Sequence, residues 1–288
     1  MSGLIRLSPI DKDLGSGFKV RRLLPSAQCP AVGPFVFFDH FGPAVAQPED
    51  DWDVRPHPHI GLATVTYLFE GAMVHRDSTA VVQRIEPGAI NLMIAGNGIV
   101  HSERTPDDLR AHPRPIHGLQ LWLALPQAHE DDEPSFQHVS AEQIPKVQVG
   151  GASVRVLIGD AFGVVSPVHT LSQTLYLDIE LAAGVSMVMA AQERERALYS
   201  VDNGFSVDGI EVAPMTLVVL EPGSSPGLRA PSGARLVMIG GTPLGHRHMW
   251  WNFVSTRSER IRRAQDDWAA QRIGQVPGET EFIPLPER

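Results

Sequence analysis

The chain's 288 residues, 43% hydrophobic and 20% charged, suffice for two ordinary globular domains. A formal net charge of -9 excludes a broad cationic surface for gripping phosphates, so direct contact with nucleic acid is not expected. A single cysteine, Cys29, excludes an internal disulfide; with no apolar run near about 18 residues and no signal-peptide core at the start, a cytoplasmic protein without a membrane span is expected.

Taken in order, the first half shows GFKVRRLL (17–24), FVFFDHF (35–41), LATVTYLF (62–69), AVVQRIE (80–86), AINLMIA (89–95) and GLQLWLAL (118–125). Each is rich in β-branched or aromatic residues and bordered by Gly or Pro, the pattern of a strand. The spacing leaves no room for intervening helices, which points to an antiparallel sandwich or barrel. The acidic, proline-bounded stretch 126–145 then reads as a boundary, giving domains over 1–135 and 146–288. Beyond it the strand pattern resumes at 152–159, 174–181, 185–191, 197–202, 215–221 and 234–240. A faint repeat relates the halves: laying Pro87 on Pro214 brings Gly96 onto Gly223, and puts Leu228 and Ala230 where the first half has His101 and Glu103. A helix is expected over 256–272, opened by a Thr256–Glu259 capping box, with Ile261, Ala264 and Trp268 on the face that packs on a sheet.

Two short motifs carry chemistry. His57 and His59 are two residues apart at the start of an expected strand, and His101 and Glu103 repeat that spacing after the Gly-rich turn GNGIV. Alternate strand residues share a face, so each pair presents both side chains to one side. Three imidazoles and a carboxylate suit a first-row transition metal: iron(II), manganese, nickel and copper(II) all remain open on donor chemistry. His40, His75, His112 and His117 lack such pairing and are expected to be structural or to support the ligands.

The stretches GFKVRRLLP, PFVFFDHFGP, VRPHPHIGLATVTYLFEG, HRDS, EPGAINLMIAGNGIVHSE, GLQLWLALP and GGTPLG together resemble the pirin family of cupins. The resemblance implies an all-β fold of two cupin-type antiparallel β-barrel (jelly-roll) domains with a short C-terminal helix. It implies one divalent transition metal in the first barrel, Fe(II) foremost with Mn, Ni, Cu or Zn as alternatives, held by His57, His59, His101 and Glu103. The second barrel would lack the ligands.

Family activity further implies a quercetin 2,3-dioxygenase-like oxidoreductase acting on a flavonol or related aromatic enol with dioxygen. On the reading of the residues themselves, Glu103 would double as a base on loosening from the metal, and Tyr67, Gln120 and Trp122, on metal-facing strands, would either line the cavity or belong to the barrel core. The alternative is a redox-sensitive regulator that binds transcription factors or metabolic enzymes through protein contacts. A monomer is expected, because paired barrels can bury the face that single cupins bury by dimerising. After GGTPLG the chain departs from the familiar pattern with HRHMWWNFV: His246 and His248 read as a second metal site or, preferably, as part of a loop packing Trp250 and Trp251 against the opposite barrel.

Overall fold

The structure is a computed structural model that describes residues 4–15, 17–192 and 194–287. Two compact units account for the chain, and both are antiparallel β structures, as expected.

In the first unit, Val54–His59, Ile99–Arg104, Met73–Asp77 and Val82–Ile85 lie side by side in a four-stranded sheet. A seven-stranded sheet runs in the order Ser135–Val139, Ile90–Ile94, Leu62–Glu70, Arg114–Ala124, Phe35–Ala46, Lys19–Leu24 and Ile10–Asp13. The expected strands are present with ends shifted by a few residues. Met73–Asp77, whose MVHRD carries no clean alternation, was not among them.

The second unit repeats this plan. Its four-stranded sheet orders Ser186–Val188, Gly227–Arg229, Phe205–Val207 and Ile210–Val212, beside a seven-stranded sheet that includes Thr174–Leu181 and Ala234–Gly241. The register supports the internal repeat. His101 faces His57 in the first unit, and at the matching place Leu228 faces Met187. Met187, Met189, Leu228 and Ala230 all belong to the apolar core of the second unit. Positions that carry imidazoles and a carboxylate in one sheet are filled with hydrocarbon in the other.

The units are not contiguous halves. Residues up to Ile10, together with Arg22–Phe37, group with Glu142–Pro243, whereas Leu244 onward groups with Phe38–Ala141. Ile5–Leu7 pairs with Leu217–Val219, so the start of the chain serves the second sheet. The end of the chain is tied to the first unit by an apolar cluster of Ile60, Val100, Phe253, Ile261, Ala264, Trp268 and Val276.

The stretch 126–145 is more than a linker. It contains the strand Ser135–Val139, paired with Ile90–Ile94, and a fully buried carboxylate, Glu130. Glu130 accepts hydrogen bonds from the Ser255 hydroxyl at 2.6 Å and the Thr256 amide at 2.7 Å. That bond redirects the start of the helix. The helix spans Ser258–Ala269 with Arg257 at its N-cap and no side-chain cap, because Thr256 is held by Glu130 instead of closing a box with Glu259. Ile261, Ala264 and Trp268 form its buried face, as the spacing predicts. Among the described residues, no helix is long and apolar enough to cross a membrane.

Candidate metal centre

Val54–His59 is an edge strand of the four-stranded sheet. An edge tolerates Pro56 and Pro58, which cannot donate to a ladder, and the prolines leave His57 and His59 on one face. His101 lies directly opposite His57 on the neighbouring strand, with Asp77 opposite on the other side. The register slips between His101 and Glu103 against the edge strand.

These alternations bring three imidazoles together. One donor nitrogen from each of His57, His59 and His101 lies within 4.8 Å of the others, and all three residues are buried. His59 Nε2 and His101 Nε2 stand 3.1 Å apart. His57 Nδ1 meets the Arg55 carbonyl at 2.9 Å, and His59 Nδ1 meets the Asn252 carbonyl at 3.3 Å. A carbonyl only accepts, so both rings carry their hydrogen on Nδ1 and keep a lone pair on Nε2.

Burial also keeps the rings neutral. It pushes His57 down to about 4, against a partial lift from its bond to Arg55. His59 and His101 are held well below the usual histidine range, first by burial and then by the neighbouring His57. Neutral, buried imidazoles with lone pairs aimed at one another form a donor set that suits a transition-metal cation. Two ligand nitrogens 3.1 Å apart also match cis positions around an ion at about 2.0–2.1 Å.

Glu103 lies outside that three-donor group. It is partly buried, bonds to Thr66, and burial raises its carboxyl to about 7 despite that bond. The Thr66 hydroxyl also lies 2.8 Å from Gln120 Oε1. Trp122 meets His59 edge-on at 5.3 Å between ring centres. Thr66, Gln120 and Trp122 thus border the site, but Tyr67 does not. It follows Thr66 in the strand, so it points to the opposite face, where it is fully buried.

The remaining histidines sort by environment. His40 and His117 face each other at 2.8 Å, and His112 is exposed. His246 and His248 are exposed, with ring centres 5.0 Å apart, and stand outside the His57/His59/His101 group. The expected loop is instead a hairpin, His248–Trp250 paired with Phe253–Ser255, and Trp250 and Trp251 pack against the cluster of Ile60 and Val100 in that same unit rather than against the opposite barrel.

Sequence reasoning named His75 only as a supporting residue and missed Asp77 entirely. His75 Nδ1 lies 3.3 Å from His101 Nδ1, and its Nε2 lies 2.8 Å from Asp77 Oδ2. The i and i+2 spacing of His75 and Asp77 in HRDS is the signal that would have found them, had MVHRD been read as a strand.

Comparison with known proteins agrees with this geometry. The pirin family model matches residues 17–123, and the model of the pirin C-terminal cupin domain matches residues 176–274. A pirin-like protein of Caulobacter vibrioides is 43% identical, with the alignment covering 96% of each chain. A Pseudomonas aeruginosa protein provisionally named as a quercetin 2,3-dioxygenase is 37% identical over 92% of this chain and 83% of its own. The crystal structure of a quercetin 2,3-dioxygenase from Acinetobacter baumannii superposes with a TM-score of 0.92 at 31% identity, covering 99% of this chain and 95% of that one. With both barrels matched and the histidine triad in the first of them, the chain belongs to the pirin family.

Proposed function

We propose that the chain is a mononuclear, metal-dependent dioxygenase acting on quercetin-like flavonols or related aromatic enols. His57, His59 and His101 would hold the metal, Fe(II) foremost, and Glu103 would complete the set on leaving Thr66. The observation that carries the reading is the convergence of three buried, neutral imidazoles, two of them fixed by backbone carbonyls so that Nε2 stays free.

When bound, such a metal supplies Lewis acidity and electron transfer toward a chelating enol and dioxygen. The protein's own groups do the rest. The imidazoles bring three neutral donors and no charge. Glu103, the fourth donor of the set, would take the enol proton at its carboxylate oxygen on loosening from the ion. Off the metal that carboxyl rests on Thr66, whose hydroxyl lies 2.8 Å from Gln120 Oε1, and Trp122 packs against the His59 ring. The likeness to the Acinetobacter baumannii quercetin 2,3-dioxygenase supports the substrate class.

The test is dioxygen uptake with quercetin, using protein loaded separately with iron, manganese, nickel and copper. Uptake is expected to require the metal and to vanish in His57→Ala and His101→Ala. Loaded protein that consumes no dioxygen with flavonols would end this reading.

A further inference from the structure

The three imidazoles are not anchored alike. His57 and His59 end on neutral backbone carbonyls, at 2.9 Å and 3.3 Å. His101 ends instead on a second imidazole and, through it, on a carboxylate: His101 Nδ1 to His75 Nδ1 at 3.3 Å, then His75 Nε2 to Asp77 Oδ2 at 2.8 Å.

Asp77 is itself tightly fixed. Its Oδ1 accepts from the Thr79 amide at 2.8 Å, the Thr79 hydroxyl at 2.7 Å and the Val81 amide at 3.2 Å. His75 is stacked on Phe136, with ring centres 4.5 Å apart and planes at 24°. Asp77, His101 and His75 are 0%, 1% and 2% exposed, so water does not loosen the chain of contacts. Burial alone would raise the Asp77 carboxyl, but the bonds from His75 and Thr79 outweigh it and hold the group ionised.

The direction of the hydrogens follows. A carboxylate accepts only, so His75 donates from Nε2, which leaves its Nδ1 as the acceptor facing His101 in any arrangement that presents His101 Nε2 to a metal. His101 must then donate from Nδ1, which leaves its lone pair on Nε2, the atom 3.1 Å from His59 Nε2. Were His75 turned to the other tautomer, two N–H groups would oppose each other across 3.3 Å.

We propose that His75 and Asp77 are positioning residues for metal capture. Together they lock His101 in the tautomer that presents Nε2, and they lend this one limb the negative character of Asp77. His101 becomes a stronger donor than His57 or His59, and it favours the higher-valent form of a bound metal. The inference rests on the metal-centre reading above and concerns binding, not turnover.

The experiment measures nickel(II) affinity by competition with a chromophoric chelator, beside the thermal midpoint of the metal-free protein. Asp77→Asn is the informative change. Its Oδ1 still accepts from Thr79 and Val81, but its amide now donates to His75 Nε2 and reverses that ring. Affinity is expected to fall about tenfold to a hundredfold, with the metal-free midpoint close to wild type. His75→Phe keeps the stacking on Phe136 and should show the same fall. The double variant should be no worse than His75→Phe alone, because Asp77 acts only through His75.

Wild-type affinity in Asp77→Asn, or losses that multiply in the double variant, would overturn the inference while leaving the metal centre standing. Should His75→Phe fail to fold, the affinity of Asp77→Asn decides. A wild-type protein that takes up no nickel or other transition metal would overturn both readings at once.

Discussion

The Ser102 hydroxyl donates a 2.5 Å hydrogen bond to Glu279, nearly 180 residues further along the chain by number. Ser102 sits between His101 and Glu103, and Arg104 donates to the same carboxylate through Nε at 3.0 Å. The strand that supplies half of the expected ligands is therefore gripped from its outer face by the end of the chain. Glu279→Ala should cost about 1–3 kcal/mol, the usual loss when a partly buried, charge-assisted bond is broken. Because one carboxylate serves both partners, Ser102→Ala combined with Glu279→Ala should lose less than the sum of the single changes in a denaturant titration.

Glu130 is the second such anchor. It has no exposed side-chain area, and Arg247, Arg257 and Arg260 approach it at 3.6, 4.0 and 4.0 Å. Glu130→Ala leaves the Ser255 hydroxyl and the Thr256 amide without their acceptor and the nearly buried Arg247 without its counter-charge, while Arg257 and Arg260 keep Asp131. A loss of about 3–5 kcal/mol is expected. Limited proteolysis should then open the chain beyond Leu244 first, and a digestion pattern equal to wild type would contradict this anchoring role.

Acid should weaken the fold through His40. Burial, reinforced by the charge of Arg21 and by His117, pushes His40 from 6.5 down to about 2. Between those values the unfolded chain binds a proton that the folded protein refuses, so stability is complete above about 6.5 and falls as pH drops below it. The slope for one such group reaches about 1.4 kcal/mol per pH unit. Denaturation midpoints of wild type and His40→Gln at pH 7.5 and 5.5 check this. The variant should lose about 1 kcal/mol less between the two conditions.

Leu228 tests the division of labour between the barrels. It is fully buried where the first barrel carries His101, so Leu228→Ala should cost about 2–5 kcal/mol by opening a cavity. Nickel stoichiometry, measured on the same sample, should match that of wild type. A drop in bound metal would mean that the second barrel contributes to the site.

The histidine triad was legible because strand periodicity is local: His57 and His59 two apart, His101 after a Gly-rich turn. The barrels were legible for the same reason. Glu103 shows where spacing stops helping, since sharing a face with His101 does not fix the rotamer that bonds to Thr66. Tyr67 takes the core alternative rather than the cavity, a choice decided by a single position in an alternating strand. Asp77 and Glu130 stayed hidden because each carboxylate earns its burial from partners brought in by the fold: Thr79 and His75 for one, Ser255 and Thr256 for the other. The domain ends were equally invisible. Nothing in IRL says that it pairs with Leu217–Val219 rather than with a nearer strand.

The two prolines beside the histidines have a consequence for self-association. An uncovered sheet margin invites a strand from another molecule, which docks by trading amide hydrogens for carbonyl oxygens. Along Val54–His59, Pro56 and Pro58 have no amide hydrogen to trade, and the Pro56 carbonyl is already taken by the Ile283 amide at 2.8 Å. The margin that carries two imidazoles is a poor template for a foreign strand. Its donors can stay fixed at high protein concentration without becoming the seed of a fibril.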